Sequence, residues 1–191
     1  EKDREKLLKL IFRYVKKFMN KSVDELRINK ISTKSRYDDK NTIIIKRLLQ
    51  HYLPLKIREK IINKLFKSVI GLDEKNFSKI LYMNSKNIME MYKDKMVIGS
   101  HGDYHLWWEK ISYKSKLNEI RNSINFFKKI EVYDHNFSVC YPYGSYDLDT
   151  LKILKQYNVN YALTIKMDSV SYKNIDKFLE LPRFDTNDFK Q

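Results

Sequence analysis

The sequence is poor in the residues that mark several common protein classes. One cysteine in 191 residues cannot close a disulfide within the chain, which excludes the disulfide-rich secreted scaffolds. Four glycines and three prolines exclude collagen-like and linker-like compositions. No apolar run approaches the roughly 20 residues that span a bilayer, so we expect at most a peripheral contact with membranes. The single cysteine and the absence of a recognisable signal peptide favour a cytoplasmic location.

The residues that are abundant predict a folded and basic protein. A hydrophobic fraction of 42% with 14% aromatic residues is enough for a core of ordinary size. The net charge of +14 favours an anionic partner, but the lysines are spread along almost every segment, as on solvated helix faces. We therefore expect no nucleic-acid partner. Nucleic-acid binding through the helical half, with a steep dependence on salt, is the least favoured alternative.

The first half of the chain has the periodicity of helices. Ser22 and Glu25 have the spacing of a capping box, and Gly71 ends one of the patterns. Apolar residues recur at helical spacing over residues 7–19, 42–52, 55–69 and 73–82, and again after Ser85. The sequence thus predicts a helical subdomain over residues 1–95, which we interpret as an insertion joined to the rest of the chain.

The second half, residues 96–191, changes in character. The short apolar run from Met96 to Ser100 predicts a buried strand. Helices are predicted over 112–129 and 148–157, and further strands over 137–141 and 161–165. Alternation of strands and helices implies an α/β fold with parallel strands.

Candidate functional residues follow the predicted strands, because sites in parallel α/β sheets gather at the carboxyl ends of the strands. His101 and His105 follow the first strand and are spaced so that a helical turn of the loop would direct both rings to one metal ion. A pair of surface or capping histidines is the alternative. Trp107 and Trp108 come next, as core residues or, less favoured, as a wall on which a sugar stacks.

Two more segments follow later strands. The run YPYGSYD at residues 141–147 contains Pro142 and Gly144, which favour a tight turn whose backbone N–H groups can face an oxyanion. The run LPRFDTND at residues 181–188 places Arg183 near two carboxylates. Each run alone is more typical of an ordinary turn or of a surface ion pair.

Together and in this order, IGSHGDYH, YPYGSYD and LPRFDTND resemble motifs of the polysaccharide deacetylase family, the NodB-like carbohydrate esterases. The resemblance covers roughly residues 96–188. The last motif is similar to that of a bacterial subgroup associated with the synthesis of surface polysaccharide or lipopolysaccharide, in which a helical insertion would match residues 1–95. The implied fold is a partial distorted (β/α) barrel of the NodB type.

The resemblance also implies a function and its residues. It implies a metal-dependent deacetylase that removes acetyl groups from N-acetylated sugars of a glycan or glycolipid. His101 and His105 would be metal ligands, with Zn²⁺ as the expected divalent metal. The backbone N–H of Tyr143 would stabilise the oxyanion, and Arg183 would orient the catalytic base. A metal-activated water and a carboxylate base are the parts that amide hydrolysis needs.

The sequence departs from the family pattern at several positions. Gly102 stands where serine or threonine is usual, and Cys140 where an arginine often stands. No strand ending in two aspartates precedes residue 95; the pair Asp38 and Asp39 follows a polar stretch instead. No histidine after His135 is present to act as the general acid. We expect these residues to be part of a longer deacetylase, and the alternative is a non-catalytic carbohydrate-binding or scaffold relative.

Overall fold

The computed structural model of the chain describes residues 2–22, 25–31, 38–71, 73–134, 137–171 and 177–189. The chain divides into two compact units, Glu1–Tyr82 and Met83–Gln191. The division precedes the boundary expected near residue 95, and the interpretation of the helical part as an insertion stays a prediction. Within the described residues, no helix combines the length and the apolar character needed to cross a membrane.

The first unit is helical, as the sequence predicts. Its helices are α1 (Lys2–Met19), α2 (Ile28–Ile31), α3 (Lys40–Arg47), α4 (Leu55–Val69) and α5 (Glu74–Leu81), and a π-helical turn (Leu48–Tyr52) follows α3. Pro54 precedes α4 directly, where its fixed φ and missing N–H are tolerated. Ile11, Leu48 and Ile61 are fully buried at the centre of the unit, because the apolar stripes of these helices face each other.

Asp38 and Asp39 have structural roles at the start of α3. Asp39 accepts the backbone N–H of Thr42 at 3.0 Å and forms an ion pair with Arg4. Hydrogen bonds from Thr42 hold the pKa of the Asp39 carboxyl well below its usual value. Asp38 pairs with Lys46 at 2.7 Å. The two carboxylates therefore stabilise the start of a helix, and the absence of a catalytic role for this pair stays a prediction.

The second unit has the alternating α/β order that the sequence predicts. It contains α6 (Ser85–Lys93), β1 (Gly99–Ser100), α7 (Tyr113–Lys129), β2 (Ser138–Cys140), α8 (Leu148–Gln156) and β3 (Tyr161–Leu163). The strands form a parallel sheet in the order β1-β2-β3, with Gly99 opposite Ser138 and Val139 opposite Ala162. This described sheet is open, and a barrel of the NodB type stays a prediction.

The strands are shorter than predicted. Met96, Val97 and Ile98 precede β1 instead of forming it, and Met96 and Val97 are exposed. The predicted strand was apolar, but apolar character alone does not provide a neighbouring strand to pair with. Beyond β3, a single parallel bridge between Leu163 and Leu181 extends the sheet, so the closing segment runs alongside β3.

The core of the second unit lies around the sheet. Trp108, Tyr141 and Phe137 are its largest fully buried side chains of aromatic type, and α7 and α8 contribute apolar faces. Gly99 is needed where β1 approaches β2, because a Cβ at this position would lie 2.8 Å from the carbonyl oxygen of Ser138. The three strands are therefore packed between buried side chains of this core.

Candidate metal and active site

The two histidines of the first motif meet at the carboxyl edge of the sheet. The Nε2 atoms of His101 and His105 are 2.9 Å apart. The Nδ1 atom of His101 lies 2.7 Å from the carbonyl oxygen of Cys140, the last residue of β2. A carbonyl at this distance favours the tautomer with the proton on Nδ1, which leaves the Nε2 lone pair of His101 for a ligand bond.

The electrostatics of the site favour a neutral imidazole at His105. Desolvation lowers the pKa of His105, and the neighbouring His101 lowers it further. Neutral imidazole is the form that binds metal. Two nitrogens bound to one tetrahedral Zn²⁺ lie about 3.3 Å apart, so a ring shift of a few tenths of an ångström adapts the pair to the ion.

The loop that carries the histidines is not helical. The sequence predicts that a helical turn would bring the two rings together, and this part of the prediction is wrong. Gly102 and His105 both have left-handed backbone conformations, with φ of 83° and 54°. A Cβ at residue 102 would lie 3.2 Å from Glu119 Oε2 and 3.3 Å from both Pro142 and Trp108. Glycine therefore stands at this position because of its φ and because of crowding.

Helix α7 holds this loop through polar side chains on one face. Ser100 Oγ accepts the N–H of Gly102 at 3.1 Å and is 2.8 Å from Ser123 Oγ. Both carboxylate oxygens of Glu119 lie 3.1 Å from the backbone nitrogen of Tyr104. Ser123 and Glu119 are buried, so these bonds are shielded from water.

The turn after β2 places Tyr143 beside the histidines. Tyr143 has φ 58° and ψ 12° within the short 3₁₀ turn Pro142–Gly144. Its ring meets His105 edge-on, with 4.4 Å between centroids, and stacks on Trp107 at 5.0 Å. The structure thus brings three of the predicted site residues together, and it adds Trp107 to them.

The two tryptophans separate into different roles. Trp108 is fully buried in the core of the second unit, as the favoured interpretation expected. Trp107 is half-buried against Tyr143, beside the histidine pair. The less favoured alternative of a stacking wall therefore still applies to Trp107.

Arg183 approaches the same edge of the sheet from the closing segment. Leu181 pairs with the end of β3: its N–H donates to the Ala162 carbonyl oxygen, and its carbonyl oxygen accepts the N–H of Thr164. The guanidinium Nη1 atom of Arg183 lies 3.8 Å from the sulfur of Cys140. Since the Cys140 carbonyl contacts His101, one residue of β2 lies next to two of the predicted site residues. The orienting role of Arg183 stays a prediction.

An ion pair with a buried lysine lies beneath the second loop and is not among the residues that the sequence predicts for the site. Lys116 of α7 donates to both oxygens of Asp147, at 2.6 and 2.5 Å, and its side chain is only 2% exposed. Asp147 also caps α8 by accepting the N–H of Thr150 at 2.9 Å. The available signal was in α7 itself: Lys116, Glu119 and Ser123 share a face with buried isoleucines.

The described residues offer two candidate ligands for a metal, the imidazoles of His101 and His105. Within residues 2–22, 25–31, 38–71, 73–134, 137–171 and 177–189, no group of three or more His, Cys, Asp or Glu side chains could hold an ion. Catalytic zinc sites usually have three protein ligands. The two imidazoles therefore fit part of the ligand set of a divalent ion such as Zn²⁺.

Comparisons with known proteins find similarity to polysaccharide deacetylases over part of the chain. No curated protein sequence matches the chain. A solved structure of Streptococcus pyogenes deacetylase PplD in complex with acetate is similar over 53% of this chain and 43% of that chain, with 25% identity and a TM-score of 0.48. This chain thus spans less than half the length of that protein. The family model described as polysaccharide deacetylase matches residues 69–162, which include both histidines, α7 and Tyr143. Over residues 69–162, just under half of the chain, the sequence is therefore similar to polysaccharide deacetylases.

Proposed function

We propose that the protein is a metal-dependent deacetylase that removes acetyl groups from N-acetylated sugars of a polysaccharide or glycolipid. The observation that carries this proposal is the His101 and His105 pair, with Nε2 atoms 2.9 Å apart, inside the matched deacetylase domain. The closing motif around Arg183 favours a precursor of surface polysaccharide or lipopolysaccharide as substrate. The cysteine content favours a cytoplasmic site of action.

The two histidines would hold the metal through Nε2. A bound divalent ion such as Zn²⁺ supplies Lewis-acid polarisation of the acetyl carbonyl and acidifies a bound water. The chain prepares for this ion in two ways. The Cys140 carbonyl fixes the ring orientation of His101, and desolvation lowers the pKa of His105 so that its ring stays neutral.

The turn at Tyr143 would stabilise the oxyanion. Its left-handed backbone is held by the hydrogen bonds from Gly144 N–H to the Tyr141 carbonyl and from Ser145 N–H to the Pro142 carbonyl, both 2.9 Å. A backbone N–H fixed in this way needs no reorganisation when negative charge develops on the acetyl oxygen. The stacked ring of Trp107 beside it offers an apolar face to a sugar ring.

A second candidate is a non-catalytic carbohydrate-binding module on the same fold. It is favoured by the two-ligand count of the described residues. The two candidates differ in their response to metal, because glycan binding by a non-catalytic module should not change when a chelator is added.

The test is release of acetate from N-acetylglucosamine oligomers with and without added Zn²⁺. We expect activity that chelation removes and Zn²⁺ restores. His101→Ala should lower this activity by at least about 100-fold, because a lost ligand costs no less than a lost supporting contact. His51→Ala, in the first unit, is the matched control and should keep it.

The outcome against metal-dependent catalysis is equally specific. Full acetate release by a folded His101→Ala variant would refute the role of the pair. Chelator-insensitive glycan binding without acetate release would support the second candidate.

A further inference from the structure

Glu119 is a buried acid whose position needs an explanation. Its side chain lies in α7 and the residue is only 4% exposed. Both of its carboxylate oxygens lie 3.1 Å from the backbone nitrogen of Tyr104, and no ion pair in the described part of the chain includes it. Burying a carboxyl group is costly unless its contacts compensate. The residue it holds, Tyr104, directly precedes His105.

The held segment has no local acceptor of its own. A serine or threonine hydroxyl often accepts the N–H of the residue two positions later. Ser100 does so for Gly102 in this loop, at 3.1 Å. Gly102 has no side chain with which to do the same for Tyr104. The acceptor for the Tyr104 N–H comes instead from Glu119 on the neighbouring helix.

A side chain at residue 102 and the Glu119 carboxylate cannot both occupy this position as acceptors of the Tyr104 N–H. A Cβ at residue 102 would lie 3.2 Å from Glu119 Oε2, closer than most real Cβ contacts, and φ at this residue is +83°. A side chain at residue 102 would therefore crowd the Glu119 carboxylate, which accepts the Tyr104 N–H in place of such a side chain. Gly102 and Glu119 therefore depend on each other, because the glycine leaves the space that the carboxylate occupies.

We propose that Glu119 is a positioning residue for the histidine pair: by accepting the Tyr104 N–H it fixes the left-handed loop that brings His105 to His101. This proposal rests on the proposed role of the pair in metal binding. His105 itself has φ 54°, a conformation that costs free energy and persists only when the surroundings impose it. Without the Glu119 contact, the loop can relax and the 2.9 Å spacing of the two Nε2 atoms is lost.

The test compares Glu119→Ala with Glu119→Gln, which keeps an amide oxygen as acceptor. Zn²⁺ alone is the probe, with its affinity measured by competition with a chromophoric chelator. We expect Glu119→Ala to weaken Zn²⁺ binding by about 10- to 100-fold, the usual effect of removing a supporting contact. Glu119→Gln should retain most of the affinity. Glu90→Ala, an exposed position on α6, is the control and should bind as the unaltered protein does.

A second readout is independent of metal and of activity. Hydrogen exchange of the Tyr104 amide in the metal-free protein should become about five-fold faster or more in Glu119→Ala, because its hydrogen bond is lost. In Glu119→Gln it should stay protected. This measurement shows whether the contact exists in solution even if the alanine variant proves too unstable for metal titration.

The outcomes separate the two proposals. If the unaltered protein binds no Zn²⁺, the proposed metal function fails, whatever Glu119 does. If it binds Zn²⁺ and folded Glu119→Ala binds equally well, the positioning role is overturned. Unchanged exchange of the Tyr104 amide in that variant would overturn it too.

Discussion

Asp147→Ala is expected to destabilise the second unit strongly, although the Asp147 side chain is 39% exposed. The substitution removes both hydrogen bonds to Lys116, whose side chain is 2% exposed, and leaves its ammonium group buried without that partner. It also removes the N-terminal cap of α8, because Asp147 accepts the N–H of Thr150.

The magnitude follows from these two losses. Loss of a helix cap costs about 1 kcal/mol. Breaking a buried ion pair costs about 3–5 kcal/mol, and partial access of water through the exposed side of Asp147 reduces this to about 2–3 kcal/mol. We therefore expect a decrease of about 3–4 kcal/mol in the free energy of unfolding. Lys116→Met should cost less, about 1 kcal/mol, because it removes the buried charge and leaves the cap in place.

The assay is urea unfolding followed by tryptophan fluorescence. Both tryptophans, Trp107 and Trp108, belong to the second unit, so the signal reports this unit. Asp149→Ala is the matched control. Asp149 pairs with Lys152 at 3.4 Å, but both side chains are largely exposed, so its loss should change stability by less than about 0.5 kcal/mol.

The reasoning fails if Asp147→Ala and Asp149→Ala unfold within about 1 kcal/mol of each other. It also fails if Lys116→Met is as harmful as Asp147→Ala, since the argument depends on which partner stays buried. The first result would mean that the ammonium group of Lys116 reaches water when its partner is removed. The second would mean that loss of the ion pair itself, and not an unpaired buried charge, sets the cost.

The same pair predicts a pH dependence. Burial opposes ionisation of Asp147, but hydrogen bonds from Lys116 and Thr150 outweigh it and lower the pKa of the carboxyl. A lowered pKa in the folded state means that this stabilisation is present above the pKa of the unfolded chain, near 4, and is lost as the pH falls through the folded-state pKa. The acid limb of the stability profile should therefore be shallower in Asp147→Ala.

Two further substitutions test the packing of the second unit. Gly99→Ala should destabilise it by about 1–3 kcal/mol, because the new Cβ would lie 2.8 Å from the Ser138 carbonyl oxygen and the strands must separate. A Cβ at Gly71, in the first unit, would have nothing within 4 Å, so Gly71→Ala should cost only about 1–2 kcal/mol for its left-handed φ. Far-UV circular dichroism, to which the helices of both units contribute, measures this change. Tyr141→Phe should cost about 1–2 kcal/mol in urea unfolding, because the buried hydroxyl donates to the Leu179 carbonyl oxygen at 2.5 Å; an unchanged midpoint would show that water replaces it.

The sequence predicts the helices well because their signals are local. Ser112 caps α7 by accepting the N–H of Ser115, and α7 then runs to Lys129, where the apolar periodicity ends. The strands are predicted in the correct order but with wrong limits. The run from Met96 looks like a strand, yet pairing begins at Gly99, because only there can β1 approach Ser138. The partner that sets this limit lies 39 residues away in the sequence.

The candidate site is partly predictable, because one part of it depends on local spacing and another on a distant contact. The spacing of His101 and His105 indicates a pair, and the pair is close in the structure. The spacing suggests a helical turn, but the loop is built from left-handed residues supported by Glu119. A buried acid on a distant helix has no signature in the motif itself. Within the motif, its trace is glycine at residue 102, where the motif that this segment resembles usually has serine or threonine.

Helix α7 also restricts how this domain can change during evolution. Lys116 reaches the loop after β2, Glu119 reaches the loop after β1, and Ser123 reaches Ser100 at the end of β1. The eight residues 116–123 of α7 therefore set the separation of the two loops. A single residue inserted between 116 and 123 would rotate the side chains that follow it by about 100° around the helix axis, relative to Lys116. Such an insertion would disconnect the histidines from the turn at Tyr143 without altering either motif. Substitutions on the exposed face of α7 should accumulate freely, whereas changes in its length should be rare among active relatives.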